Sequence, residues 1–443
     1  MRLKPLIALL VGLSVSSSPY AADLLQVYRD ALSNDAAYAS ARAAWTASRE
    51  KLPQGRALLL PGVSFGANTT YNDREINFRS GAPSAVGQFN SNGYNVSVTQ
   101  PLYRKQNFVQ YEQAKTQLTQ GDVQLQLAQQ DLALRVAQAY FDVLLAEDNV
   151  SLAGAQKEAI SQQLAQAKRN FEVGTATITD THEAQARHDL ITAQQIAARN
   201  DLEIKRRALQ QIVGKLPDSL AGLKQDYDIR PPEPNDMNFW VDEAQRAHLQ
   251  VGFQEATLEF AAQEVERNRA GHHPTLDAVA SYVESGSGSG LLGGAGTDTT
   301  SKAIGLQLSL PLYQGGATES RVREAVANRE KALQDLENAR RNAALAARQA
   351  FLSLTNGVSQ VNALQQAVVS SQSSLDSTTL GRDVGVRTSV DVLNAQQQLY
   401  SARRDLAQAR YNALLNDLRL KAAVGKLAEE DLARVNQGLE ASR

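Results

Sequence analysis

Residues that could bind a metal ion or a phosphate group occur at two places in the chain. His272 and His273 are adjacent imidazoles just before Pro274, but no third ligand lies near them in the sequence, so the pattern does not predict a metal site. The Gly- and Ser-rich segment Ser285 to Gly296 lacks a following Lys-Ser or Lys-Thr and does not match a phosphate-binding loop. Ser-His-Asp and paired-carboxylate patterns are absent, and so is cysteine. We therefore expect no catalysis, no cofactor and no metal.

Charged residues beside two glycine-marked turns are the remaining candidates. Gly174 and Gly385 each separate two helical stretches, and glycine commonly ends a helix because it tolerates a positive φ. Asp180 follows the first turn, whereas Arg387 and Asp391 follow the second. One charged residue on a solvated helix is usually only surface charge. Because these residues lie at both turns, a functional role stands beside surface charge as an equal alternative.

The two turns belong to two copies of one structural plan. Pro311 lies 311 − 101 = 210 residues after Pro101, and Asp391 lies 391 − 180 = 211 residues after Asp180. Several other landmarks recur in the same order, which chance would not preserve. We therefore predict a first repeat (23–214), a linker (215–238), a second repeat (239–425) and a C-terminal tail (426–443).

Two long stretches without proline predict the helices that position these charges. Proline is absent between Pro101 and Pro217 and again after Pro311, and both stretches are rich in Ala, Gln, Leu, Arg and Glu. In the first stretch an apolar residue recurs every seven positions, which is typical of a coiled coil. The members of this repeat are Leu118, Leu125, Leu132, Ala139, Ala146, Ala153, Ile160 and Ala167 on one seam, and Val136, Val143, Val150, Leu164 and Phe171 on its companion. Each repeat should contain a helix of roughly 100 Å, a tight turn and a shorter return helix.

Between the first helix and the long helix of each repeat, apolar and polar residues alternate. The alternation predicts four strands of about ten residues, near Val63–Asn72, Tyr94–Thr99, Leu276–Tyr282 and Ile304–Leu310. Pro61, Pro101, Pro274 and Pro311 should mark the helix-strand junctions, and residues 72–93 and 284–302 should be polar loops. Four strands cannot close a membrane barrel alone, whereas 4 × 2 = 8 or 4 × 3 = 12 strands from two or three chains can.

The first 22 residues have the features of a secretory signal peptide. Arg2 and Lys4 precede a short apolar run that ends in small residues. Beyond it, no apolar stretch approaches the roughly 20 residues that a membrane-spanning helix needs. The formal net charge of −2 gives no basic excess for binding nucleic acid.

Strand pairs that alternate with very long helices, in tandem duplicate, resemble the TolC-type outer-membrane efflux and type I secretion proteins over essentially the whole mature chain. The residues that carry the resemblance are Asp23-Leu-Leu-Gln-Val-Tyr28, Gln100-Pro-Leu-Tyr103, Leu310-Pro-Leu-Tyr313, Thr177-Ile-Thr-Asp180 and Val384-Gly-Val-Arg-Thr-Ser-Val-Asp-Val-Leu-Asn-Ala395. The resemblance implies a mainly α protein with a β-barrel part. It would be a homotrimer with a twelve-stranded barrel in the outer membrane, a twelve-helix tunnel through the periplasm and a belt formed by the linker and the tail.

In this family the periplasmic tips of the helix hairpins close the tunnel. The resemblance implies that Asp391 forms a ring that favours cations, and that neighbouring hairpins are linked by Thr179, Asp180 and Arg387. Two positions depart from the family pattern. Asn394 stands where a second acidic ring is common, and Arg382 stands where a lock tyrosine is common. One ring in place of two should weaken the capture of cations.

The sequence thus predicts a passive exit duct of a tripartite efflux pump or a type I secretion system. Its expected partners are a periplasmic adaptor (membrane fusion) protein, an inner-membrane transporter and outer-membrane lipid. Whether the cargo is a drug, a protein or both stays open. The alternative is a periplasmic coiled-coil adaptor or scaffold without a pore, in which the alternating segments form a soluble sheet.

Overall fold

The computed structural model describes residues 21–81, 83–289 and 295–441. The predicted signal peptide therefore lies almost entirely outside the described residues. The chain divides into two compact units, and each unit takes segments from both halves of the chain. One unit comprises the described parts of Met1–Ser40, Ala128–His248 and Ala343–Arg443, and the other comprises the described parts of Ala41–Leu127 and Leu249–Asn342. The repeat, linker and tail boundaries stay a prediction.

Helices account for most of the described chain. In chain order they are α1 (Leu24–Asn34), α2 (Ala36–Arg49), α3 (Lys51–Ala57), α4 (Lys105–Glu172), α5 (Ile178–Val213), α6 (Met237–Ala247), α7 (Leu249–Arg269), α8 (Ala317–Asp383), α9 (Ser389–Ala423) and α10 (Glu429–Asn436). The strands are β1 (Gly62–Ile76), β2 (Ala85–Tyr103), β3 (Ala221–Leu223), β4 (Thr275–Ser287), β5 (Thr297–Ser309) and β6 (Leu439–Ala441). Among the described residues, no helix is both long and apolar enough to cross a membrane.

The sheet of the second unit contains β1, β2, β4 and β5 in that spatial order, and each neighbouring pair is antiparallel. One row across it consists of apolar residues, namely Val63, Val98, Ala280 and Ile304. The adjacent row points to the opposite face and consists of small, mostly polar residues, namely Ser64, Ser97, Ser281 and Ala303. Along these rows the sheet therefore has one apolar face and one mostly polar face, as the alternation predicts.

The strands are longer than predicted, and the loops are correspondingly shorter. β1 runs for 15 residues and β2 for 19, so most of the predicted loop 72–93 is strand. The prediction was wrong here because it followed apolar alternation, whereas the backbone ladder continues where the side chains are polar. In this part of the ladder the amide of Asn72 donates to Oγ of Ser91 at 2.8 Å, and the amide of Gln88 donates to Oδ2 of Asp73 at 3.1 Å.

The core of the first unit is formed by α1, the middle of α4, the ends of α5 and α9, α10, and the small strands β3 and β6. Tyr140 of α4 is fully buried, and its hydroxyl donates to the carbonyl oxygens of Ala221 at 2.7 Å and Ala22 at 3.2 Å. β3 comes from the predicted linker and β6 from the predicted tail, and the two strands pair. Linker and tail are therefore joined to each other and to the long helix.

The long helices match the predicted rods. α4 has 68 residues and α8 has 67, which corresponds to roughly 100 Å each. Six members of the first predicted seam are buried, from Leu132 through Ala167, which confirms the seven-residue pattern over that part. Phe171 is 43% exposed and does not continue the companion seam. It lies one residue before α4 ends, whereas the return helix begins only at Ile178.

The sequence predicts one continuous first helix in each repeat, near Leu24–Leu52 and Val241–Arg269, but both helices are interrupted in the structure. Asp35 separates α1 from α2 and His248 separates α6 from α7, and both residues have extended backbone angles. Asp35 also accepts a hydrogen bond on its side chain from the backbone N–H of Tyr38 at 2.7 Å. An Asp that starts a new helix in this way competes with the continuation of the preceding one.

Candidate gating site at the hairpin tips

Both glycine turns join two antiparallel helices and share one backbone conformation. Gly174 has φ 78° and Gly385 has φ 82°, in the region that favours glycine. In the first tip, the backbone N–H groups of Thr175 and Ala176 donate to the carbonyl oxygen of Asn170 at 2.8 and 3.2 Å. In the second tip, those of Val386 and Arg387 donate to the carbonyl oxygen of Gly381 at 2.8 and 3.1 Å.

Each return helix begins with a capping box, which the sequence-based reasoning missed. Thr388 is the N-cap of α9, and its hydroxyl accepts from the backbone N–H of Asp391 at 3.1 Å. Oδ2 of Asp391 in turn accepts from the backbone N–H and the hydroxyl of Thr388, both at 2.9 Å. Thr177 and Asp180 form the same arrangement at the start of α5. The Thr-x-x-Asp spacing at both turns was the available signal.

The carboxyl group of Asp391 has a lowered pKa. The pKa of this carboxyl lies below its ordinary value because it accepts hydrogen bonds from the backbone N–H and the hydroxyl of Thr388, and because Arg387 is nearby. The carboxylate form is thereby favoured over a wider pH range than for a free Asp. The predicted ring residue is therefore an anchored, ionised carboxylate at the tip of the second hairpin.

The predicted link residues lie near the two tips, where Thr179 and Arg387 are exposed and Asp180 is half-buried, but one chain does not bring them together. Asp180 binds Thr177 with its carboxylate, and Thr179 is exposed on the first turn of α5. Within the part of the chain that the structure describes, Arg387 forms no ion pair, and its positive charge acts on Asp391. The predicted link between Asp180 and Arg387 was one between neighbouring hairpins, and it stays a prediction.

Arg382 and Asn394, the two residues that depart from the family pattern, each have a side-chain partner within the chain. Arg382 forms an ion pair with Asp383, with its Nη2 2.6 Å from Oδ1. Asn394 accepts a hydrogen bond on Oδ1 from Nη2 of Arg187 at 3.0 Å. Arg187 lies on α5, and its Nη1 also donates to Oε1 of Gln397 at 2.7 Å. The sequence-based reasoning did not single out Arg187, because its partners lie in the other repeat.

The four prolines lie at or near the ends of the large strands. Pro61 precedes β1 by one residue, Pro274 precedes β4 by one residue, and Pro311 follows the last residue of β5 by two. Pro101 lies inside β2, where the register with β4 shifts between Pro101 and Tyr103. A proline at such an irregularity leaves no ladder donor missing.

The adjacent histidines have partners other than a metal. Nε2 of His272 lies 3.3 Å from a carboxylate oxygen of Glu319, and Nδ1 of His273 lies 3.5 Å from the hydroxyl of Tyr103. Among the described residues, no group of three or more His, Cys, Asp or Glu could hold a metal ion.

A family model described as "Outer membrane efflux protein" matches residues 27–215 and 240–426. The chain belongs to the outer membrane efflux protein family. Outer membrane protein TolC of Escherichia coli (strain K12) is 38% identical over 451 residues, which cover 99% of this chain and 90% of that protein. The alkaline protease secretion protein AprF of Pseudomonas aeruginosa is 33% identical over 421 residues, covering 94% and 87% of the two chains.

Solved structures of outer membrane channels have the same fold as this family member. The crystal structure of the outer membrane protein VceC from Vibrio cholerae aligns with a TM-score of 0.75 at 20% identity, covering 91% of this chain and 96% of that one. The structure of the Campylobacter jejuni CmeC outer membrane channel aligns with a TM-score of 0.77 at 17% identity, covering 94% and 90%. The mainly helical fold predicted from the sequence is thereby confirmed.

Family membership also confirms the predicted class of function and the predicted location. The protein is an outer-membrane exit duct of the efflux and type I secretion class, with its helical part in the periplasm. The family is one of transport proteins and not one of enzymes.

Proposed function

We propose that three copies of this chain assemble into one passive duct, with a shared twelve-stranded barrel in the outer membrane and a twelve-helix tunnel in the periplasm. The observation that carries this proposal is the sheet of β1, β2, β4 and β5. Among the described residues, β1 pairs only with β2 and β5 pairs only with β4, so each of these edge strands has one side without a strand partner. In lipid, each unpaired backbone group costs several kcal/mol. Pairing β1 of one protomer with β5 of the next removes both edges.

The apolar face of the sheet supports contact with lipid. Phe65 of β1 is 69% exposed, and Ile304 and Leu306 of β5 are 89% and 70% exposed. Monomeric soluble proteins rarely leave so continuous an apolar surface in water. Eight strands from two chains would enclose an interior filled by side chains, whereas 4 × 3 = 12 strands leave room for a lumen.

The four long helices of each chain supply the tunnel. α4 with α5 and α8 with α9 form two hairpins, so three chains contribute twelve helices. The pairing of β3 with β6 supports the proposal that the linker (215–238) and the tail (426–443) form a belt around the helices. The signal peptide would be removed by cleavage within Tyr20–Asp23, which leaves repeats 23–214 and 239–425 to build the duct.

The hairpin tips would close the tunnel at its periplasmic end. Three copies of Asp391 around the threefold axis would repel one another and attract cations. Thr179, Asp180 and Arg387 would link neighbouring hairpins, with Gly174 and Gly385 forming the turns. The exposure of Thr179 and Arg387 and the lowered pKa of Asp391 support these roles.

The partners of the duct would be a periplasmic adaptor and, through it, an inner-membrane transporter. The family is named for efflux, and its relative AprF is named for the secretion of alkaline protease. Small molecules and secreted proteins are therefore both candidate cargoes of this chain. Because a water-filled duct need not recognise what passes, the transporter would select the cargo.

The proposal is tested by adding the purified protein, without adaptor, to planar lipid bilayers and recording the current. We expect stepwise insertion of small, cation-selective conductances, because the tips of the isolated duct are closed. A mature protein that stays a soluble monomer without detergent and inserts no conductance would favour the adaptor or scaffold alternative.

A further inference from the structure

We propose that Arg187 is a further gating residue. It holds α5 against α9 through hydrogen bonds to Asn394 and Gln397 (the clamp), and it places a positive charge about one helical turn from Asp391. This inference rests on the proposed gate at the hairpin tips. It assigns a role to an arginine that neither the sequence pattern nor the resemblance singled out.

The geometry of the clamp is specific to an arginine. Asn394 and Gln397 are three residues apart on α9 and therefore lie on the same face of that helix. Nη2 of Arg187 donates to the first and Nη1 donates to the second, at 3.0 and 2.7 Å. A guanidinium makes both bonds from two different nitrogens that are fixed in a planar fork, whereas the donors of a lysine share one nitrogen and have no such fixed arrangement.

The packing below the clamp indicates why such a connection is needed. Ile191, one turn after Arg187, packs with Leu393 in a small buried cluster. Next to that cluster lies a cavity of about 440 Å³, which Arg187 and Gln397 also line. Apolar packing therefore does not fill the space between α5 and α9 at this level. The two hydrogen bonds of Arg187 bridge the helices beside this cavity.

The charge of Arg187 is not neutralised by an ion pair within the described residues. Its two hydrogen-bond acceptors are neutral amides, whereas Arg382 is paired with the carboxylate of Asp383. Asp391 and Asn394 are three residues apart on α9, so the guanidinium bound to Asn394 lies about one helical turn from Asp391. Charges interact without full screening over about 10 Å in 0.1 M salt. Three such cations in the trimer would oppose the attraction of cations by three Asp391 carboxylates.

Two variants of Arg187 separate the clamp from the charge. Arg187→Gln removes both, so we expect a higher resting conductance and a cation-to-anion permeability ratio raised about two- to threefold. Arg187→Lys keeps the charge but cannot form the forked pair of bonds, so the conductance should rise while the permeability ratio stays at the parent value. The matched control is Arg199→Gln, which removes an exposed charge from the same helix at a site without a described hydrogen bond to α9.

A measurement that needs no pore tests the clamp independently. The chain has no cysteine, so the pair Ile191→Cys and Leu393→Cys forms a disulfide only between α5 and α9. Adding Arg187→Gln to this pair should slow disulfide formation several-fold, whereas adding Arg199→Gln should not. An unchanged rate together with an unchanged permeability ratio would overturn the inference. A parent protein that inserts no conductance would contradict the proposed function instead, and the disulfide rate would still decide whether the clamp exists.

Discussion

The two hairpin tips have the same backbone but different side chains. Both use a glycine with positive φ and a Thr-x-x-Asp capping box. In each tip the chain reverses direction within five residues, and the glycine and the capping box end one helix and start the next. They differ at the residue before the N-cap, which is Ala176 in the first tip and Arg387 in the second. The shared glycine and capping box are therefore what the turn needs in order to fold, whereas Arg387 is a candidate for a role in gating.

A second difference accompanies the arginine. The carbonyl that accepts the two turn bonds belongs to Asn170 in the first tip and to Gly381 in the second. A Cβ at position 381 would lie 2.8 Å from Cγ of Arg387. The glycine therefore leaves room for the arginine side chain against α8, and the first tip, with Ala176, has no such requirement.

The largest effect is expected from removing the charge that distinguishes the second tip. Arg387→Ser should raise the resting conductance about tenfold, the factor that corresponds to one lost charge-assisted interaction in the closed state. The matched change in the first tip, Ala176→Ser, should leave the conductance unchanged. If Arg387→Ser has the same resting conductance as the parent in planar bilayers, Arg387 does not link the hairpins in the closed state.

A smaller effect is expected from the two capping carboxylates. Asp391→Ala and Asp180→Ala remove the same hydrogen bonds from equivalent helix starts, so their effects on the caps are matched. Only Asp391→Ala should reduce the block of conductance by divalent cations, because only this residue is assigned to the ring. Equal block in the parent and in Asp391→Ala would exclude the ring.

The same block should depend on pH with a defined sign. Arg387 is one of the groups that lower the pKa of Asp391, so the carboxylate of the parent should stay charged, and the block persist, to a lower pH than in a variant without this cation. Arg387→Ser removes a nearby cation and should move the loss of block to higher pH. A midpoint that does not move in this variant would contradict the electrostatic coupling between the two residues.

The smallest effect is expected from the N-cap threonines that both tips share. Thr177→Ala and Thr388→Ala should each cost about 1 kcal/mol of stability, the usual contribution of an N-cap side chain. Thermal unfolding of the two variants should shift equally, and Ser389→Ala, on an exposed residue next to the second cap, serves as the control. Unequal shifts would mean that the tips are not equivalent in folding.

The sequence predicted the hairpins well because prolines, glycines and an apolar repeat are local signals that the fold obeys. It predicted the strands but not their ends, because polar residues such as Asn72 and Gln88 still pair across the ladder. The capping boxes were visible as Thr-x-x-Asp and were overlooked. The bond between Arg187 and Asn394 joins residues that are 207 positions apart, and it depends on how α5 and α9 are rotated, which no local pattern records.

The central claim, a barrel shared by three copies, is tested most directly at the free edges of the sheet. In a chain without native cysteine, Ser64→Cys on β1 should be combined in turn with Gln307→Cys and Ser309→Cys on β5, and intact cells should then be oxidised. We predict covalently closed trimers for at least one pair. The control pair Ser97→Cys with Ser309→Cys should give none, because β2 lies between β1 and β4. If every edge pair gave only monomers, the barrel shared by three copies would be contradicted.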